Sequence, residues 1–157
     1  MNPQTGTGRD RDPAGRARQA RPRDALGRPL AYGDPLGVEP VSEEPLPPEE
    51  TLVAAQALLD QGRPFSAHEV LEARWKAAPE DERELWQGLA QICVGITHAL
   101  RGNATGATRL VERGARNVRR YAGSTPYRID VDGVLAWCEQ NGPTPAATGL
   151  RLRSARP

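Results

Sequence analysis

The chain has 157 residues, 16 glycines, 15 prolines, two cysteines and a net charge of +1. That length suits one domain with tails, and a charge so near zero gives no global field to draw nucleic acid or membrane. No apolar run is long enough to span a bilayer, the first residues lack the apolar core of a secretion signal, and no cysteine framework is visible, so a soluble cytoplasmic protein is expected.

Residues 1–47 hold eight prolines and six glycines and show no apolar period. Residues 1–28 carry seven arginines against three aspartates, and 29–50 carry six acids and no base. Such a segment cannot bury enough apolar surface to offset the entropy of ordering, so 1–45 is expected to be a disordered tail. The proline-containing end, 142–157, receives the same expectation.

Between the tails, over 46–141, the apolar pattern is helical throughout and no segment alternates as a strand. "PPEETLVAAQALLDQGR" opens on proline and acids and stops at Gly62. A second helix covers 65–77, ahead of Pro79. The third runs from Glu80 to Arg101, with Leu85, Leu89, Ile92, Ile96 and Leu100 in one stripe. Further apolar residues on its other sides mark it as an interior helix. Gly88 and Gly95, two turns apart, leave a strip where another helix can come close. A fourth helix spans 103–121 with Asn103 as cap, and a fifth spans 131–140 with Asp130 as cap. The expected fold is all-α, a small bundle of four to five helices with disordered N- and C-terminal tails.

Chemistry-bearing residues gather on the second and third helices. His68 and Glu72 are spaced i, i+4 and share a face with Leu71 and Trp75. Glu69 points further out, toward Lys76. On the third helix Gln87, Gln91 and His98 fall within about 40° of one another at 3.6 residues per turn. Buried polar groups require partners, so the two strips are expected to face each other across the interface of the two helices. One reading is a divalent metal ion held by His68, Glu72 and His98, an open site with room for water. In it Glu69 is a candidate catalytic base and Trp75, Gln87 and Gln91 line a ligand pocket. "HEVLE" resembles the H-E-x-x-H metal helix with Glu72 in place of the second histidine. The other readings are a pocket without metal and a purely structural hydrogen-bond network.

On the fourth helix, Arg109, Arg113, Arg116 and Arg120 stand at i, i+4, i+7 and i+11. A charged face opposite the apolar one is what any surface helix shows, and no aromatics interleave. Nucleic acid is therefore not the expected partner, whereas a protein partner or a homo-oligomer is open. No phosphate-binding glycine loop and no CxxC knuckle is present.

"FSAHEVLEARW" and "WQGLAQICVGITHALRGNATGATRL" together resemble the bacterial and plastid domain-of-unknown-function family numbered 309. Its pattern is met here by Phe65, His68, Glu69, Glu72 and Trp75, then Gln87, Gly88 and Gln91, then His98, then Gly102, Asn103, Gly106 and Ala107. The resemblance covers about 50–121. It implies an all-helical domain and a shared set of polar positions, and it names neither a reaction nor a cofactor.

Overall fold

A computed structural model describes residues 22–141 and 149–154. Five α-helices follow one another: α1 Pro48–Asp60, α2 Pro64–Ala77, α3 Glu80–Leu100, α4 Ala104–Arg119 and α5 Val131–Asn141. A single 3₁₀ turn, Pro126–Arg128, precedes α5. No strand occurs among the described residues, only isolated bridges. The all-α bundle expected from the apolar period is the fold observed.

Local chemistry accounts for the boundaries. Proline occupies the first turn of α1 and of α2, where its missing N–H leaves no helical bond unmade. Acids crowd the first turns of α1 and α3, at the positive end of the helix dipole. Asn103 caps α4 by accepting from the Gly106 N–H at 2.9 Å. Asp130 caps α5 by accepting from the Gly133 N–H at 3.0 Å. Both expected caps are in place.

Each helix packs on the next, and α3 lies against both α2 and α4. The core contains Leu52 and Leu59 of α1, Leu71 of α2, Leu85, Trp86, Leu89, Ile92 and Ile96 of α3, Val118 of α4 and Val134 of α5. α3 and α4 run antiparallel. A Cβ at Gly88 would stand 2.8 Å from the Gly114 carbonyl oxygen, and one at Gly114 would stand 2.6 Å from the Gly88 carbonyl oxygen. At the other end, a Cβ at Gly95 would meet Val111 Cγ2 at 2.6 Å. The helices therefore touch backbone to backbone, which only glycine allows there.

Two stretches outside the helices join this frame, where composition alone suggested disordered tails. Residues 22–38 form turns held by their own backbone: Leu30 N–H donates to Pro22 O at 2.8 Å and Val38 N–H to Arg23 O at 2.9 Å. Asp24 Oδ1 accepts from the Leu26 and Arg28 amides at 3.0 and 2.8 Å. At the other end, Leu150 and Leu152 are buried in the core. Their backbone is tied to α1, with Leu152 N–H donating to Gln56 Oε1 at 2.9 Å and Gln56 Nε2 to Leu150 O at 3.1 Å. The order arises from hydrogen bonds and two leucines, which an average over proline and glycine content does not register. The rest of the expected tails lies outside the described residues.

The glycine contact gives a direct test. Gly114→Ala adds roughly 1 kcal/mol of helix propensity but forces a methyl group against the α3 backbone, an overpacking cost of about 1–3 kcal/mol. The expected outcome is a lower midpoint in urea unfolding. A raised midpoint would show that α3 and α4 do not meet at this point.

Candidate functional site

The polar residues of α2 sit together, but not against those of α3. His68 Nδ1 lies 2.9 Å from Phe65 O. A carbonyl only accepts, so Nδ1 carries the hydrogen. His68 Nε2 faces Glu72 Oε2 at 3.1 Å, and Glu72 Oε1 faces Lys76 Nζ at 3.0 Å. His68, Glu72 and Lys76 thus form a ladder along α2 at i, i+4, i+8. Lys76 pairs with Glu72, and Glu69 turns the other way, into a cleft.

That cleft, about 780 Å³, lies between α2 and residues 22–43. Its floor is Phe65, Ser66, His68, Glu69, Glu72, Ala73 and Lys76, and its roof includes Arg23, Asp24, Glu39 and Glu43. Phe65 anchors the roof. Arg23 places its guanidinium 5.4 Å from the centre of the Phe65 ring, a cation–π contact, and its Nη1 donates to Gly27 O at 2.6 Å. Gly27, at φ +75°, lies so close to the ring that a Cβ would stand 2.4 Å from it. Arg63 closes one edge, its Nη2 donating to Glu39 O at 2.8 Å and to Ser66 Oγ at 3.1 Å. The Arg63 Nε is buried and unbonded among the described residues.

Glu69 stands apart electrostatically. Burial raises its pKa, Arg23 and Arg63 work in the opposite sense, and Glu72 and Glu43 add to the rise. Among the described residues its carboxyl makes no hydrogen bond and no ion pair. A half-buried carboxyl left open to a cleft is unusual, because such groups ordinarily find a donor. The thiols offer no comparable chemistry. Cys93 and Cys138 are buried and free, and burial pushes them up to about 12 and about 11, far from the thiolate a nucleophile needs at neutral pH.

The α3 residues are placed differently from expectation. Gln91 Oε1 accepts from Asn117 Nδ2 of α4 at 2.8 Å. His98 Nδ1 lies 3.2 Å from Asn103 Nδ2, at the start of α4. Gln87, one turn before Gln91, is half-buried on the same edge. The strip faces α4 and not α2, because α3 must aim Gly88 and Gly95 at α4. His98 is thereby separated from the His68–Glu72 pair. Among the described residues no group of three or more His, Cys, Asp or Glu is arranged to hold a metal ion, so the expected metal triad is not assembled. Trp75 packs against the apolar core and does not line the cleft. Sequence reasoning missed Arg23, Gly27 and Arg63. The one available signal was Phe65, the only phenylalanine in the chain, in the first turn of the second helix.

Fold and site together define a small all-α domain whose polar motif on α2 forms the floor of a cleft. Residues 52–110 match the family model described as Domain of unknown function (DUF309). The chain is also 40% identical over 53 residues to the uncharacterized protein YpuF of Bacillus subtilis (strain 168), which covers 33% of this chain and 30% of that protein. The chain therefore spans less than a third of the length of that relative. No solved structure matches the chain significantly. The matched segment contains His68, Glu69 and Glu72, whereas the roof, 22–43, lies outside it.

Glu69 yields a prediction with a definite sign. A carboxyl whose folded pKa is raised binds its proton more tightly in the folded state. Its ionisation therefore costs stability as pH rises from the ordinary carboxylate value toward the folded one. Glu69→Gln is expected to raise Tm at pH 7 by about 1–2 °C, with the gain vanishing below about pH 4. A lower Tm at pH 7, by differential scanning calorimetry, would mean that Glu69 is bonded structurally after all.

Proposed function

We propose that this chain is a ligand-binding module whose site is the cleft between α2 and residues 22–43. The observation that carries the reading is Glu69, a half-buried carboxyl with no partner among the described residues, aligned beside the satisfied His68–Glu72–Lys76 ladder. In this reading Glu69 receives the ligand and His68 and Glu72 fix the floor around it. Arg23 stands over the cleft from the roof. A carboxylate accepts hydrogen bonds, so the group it receives is a donor: an amine, a guanidinium or an amide. Should the ligand react, Glu69 is also the group suited to accept a proton, since its raised pKa brings it nearer neutrality. A divalent ion is not required by this arrangement.

The ladder itself supports a second, non-enzymatic reading in which the α2 cluster is a structural network and the chain acts as an interaction module. His68 Nδ1 is bonded to Phe65 O, and the two oxygens of Glu72 lie against His68 Nε2 and Lys76 Nζ along α2. The two readings divide at Glu69, which the network does not use. No helix of the described residues is long and apolar enough to cross a membrane. We place the protein in the cytoplasm, where its two free thiols stay reduced.

Nuclear magnetic resonance titration with methylguanidinium and with propylammonium tests the cleft. Shifts in the amides of Ser66, His68 and Glu69 in the native protein, lost in Glu69→Gln, are expected. Absence of shifts, or equal shifts in both proteins, would remove the ligand site. The Gln variant remains informative because it is expected to fold at least as well.

A further inference from the structure

The cleft leaves α4 and the polar edge of α3 without a role. Ala107, Val111, Gly114, Ala115 and Val118 turn the inner side of α4 into the bundle. Arg109, Arg113, Arg116 and Arg120 are exposed on its outer side. Among the described residues Arg120 is the member of this stripe held in an ion pair, by Glu84 at 2.7 Å. Arg109, Arg113 and Arg116 have no such partner there, although the acid Glu112 lies on the same helix. The Gln91–Asn117 pair and the His98–Asn103 pair border the stripe on the α3 side, adding neutral hydrogen-bonding groups along one flank. Six acids lie in 29–50, and four more, Glu80, Asp81, Glu82 and Glu84, open α3 beside the Arg120 end of the stripe, so among the described residues the free cationic part of the face is Arg109, Arg113 and Arg116.

We infer that the outer face of α4 is a surface for the phosphate backbone of double-stranded nucleic acid, bound without sequence preference. The unpaired part of the stripe, Arg109 to Arg116, is about 10 Å long at 1.5 Å per residue. That length spans about three phosphates of one duplex strand at 3.4 Å each, so three arginines meet a comparable number of charges. Direct reading of bases requires side chains entering a groove, and a straight helix face studded with arginine meets the backbone instead. Single strands are held by bases stacked on aromatic side chains. α4, with the sequence ATGATRLVERGARNVR, has none, which favours the duplex. Net charge argues against long-range attraction of the whole molecule. It does not bear on a local face where Arg109, Arg113 and Arg116 outnumber the one acid among them, Glu112.

The test is fluorescence anisotropy with a labelled DNA duplex of about 20 base pairs, at salt from about 25 to 200 mM. Native protein is expected to bind at low salt, with affinity falling roughly 300-fold across that range for three phosphates neutralised. Arg109→Ala/Arg113→Ala/Arg116→Ala should reduce the slope of log affinity against log salt by about 2–3, and Arg113→Ala alone by about 1. The corresponding triple lysine variant should keep the native slope, because charge and not fork geometry is used. Circular dichroism confirms that the variants fold, as is expected for exposed positions on a helix. The inference is overturned if native protein fails to bind at low salt. It is equally overturned if the triple alanine variant keeps the native slope, or if phosphatidylserine vesicles retain the protein while the duplex does not.

Discussion

The approach of α3 to α4 through Gly88 and Gly114 is the constraint on which the remaining arrangement depends. With each Cα close to the other helix's carbonyl oxygen, α3 has almost no freedom to rotate about its axis. The stripe of Leu85, Leu89, Ile92 and Ile96 then enters the core, and the Gln87, Gln91 and His98 edge emerges beside α4. Gln91 meets Asn117 and His98 meets Asn103 for this reason. The same rotation denies α2 a polar partner on α3, so His68, Glu69 and Glu72 must satisfy themselves along α2 or face whatever covers it.

What covers α2 is the segment 22–43. It makes little apolar contact apart from Phe65 and is organised by Asp24, by turns and by a guanidinium over a ring. The cleft thus joins a floor inside the family-matched segment to a roof outside it. Local stability is expected to be lowest at such an element, since few buried apolar contacts hold it.

The helices were legible in the sequence because their signals are local: proline and acids at the starts, Gly62 and Gly102 at the ends, Asn103 and Asp130 as caps. The interior position of α3 followed from an apolar pattern nearly all round. The partner of each polar strip was not legible. Periodicity says that Gln91 and His98 share a face, but which neighbour that face meets depends on a contact with Gly114, 26 residues from Gly88. Asn117, the partner of Gln91, looked like one more polar residue on a surface helix. Arg23 was one arginine among many, and its place over Phe65 requires knowing how the chain returns across α2. Leu150 and Leu152 were hidden for a related reason, being two apolar residues in a segment whose composition otherwise resembles a tail.

Nuclear Overhauser contacts between the Gly88 and Gly114 α-protons, together with contacts between the side-chain amides of Gln91 and Asn117, test the central claim most directly. Both sets are expected in the native protein, with none between the imidazole protons of His68 and His98. Contacts linking the two imidazoles, with the glycine contacts missing, would rotate α3 toward α2 and contradict the account.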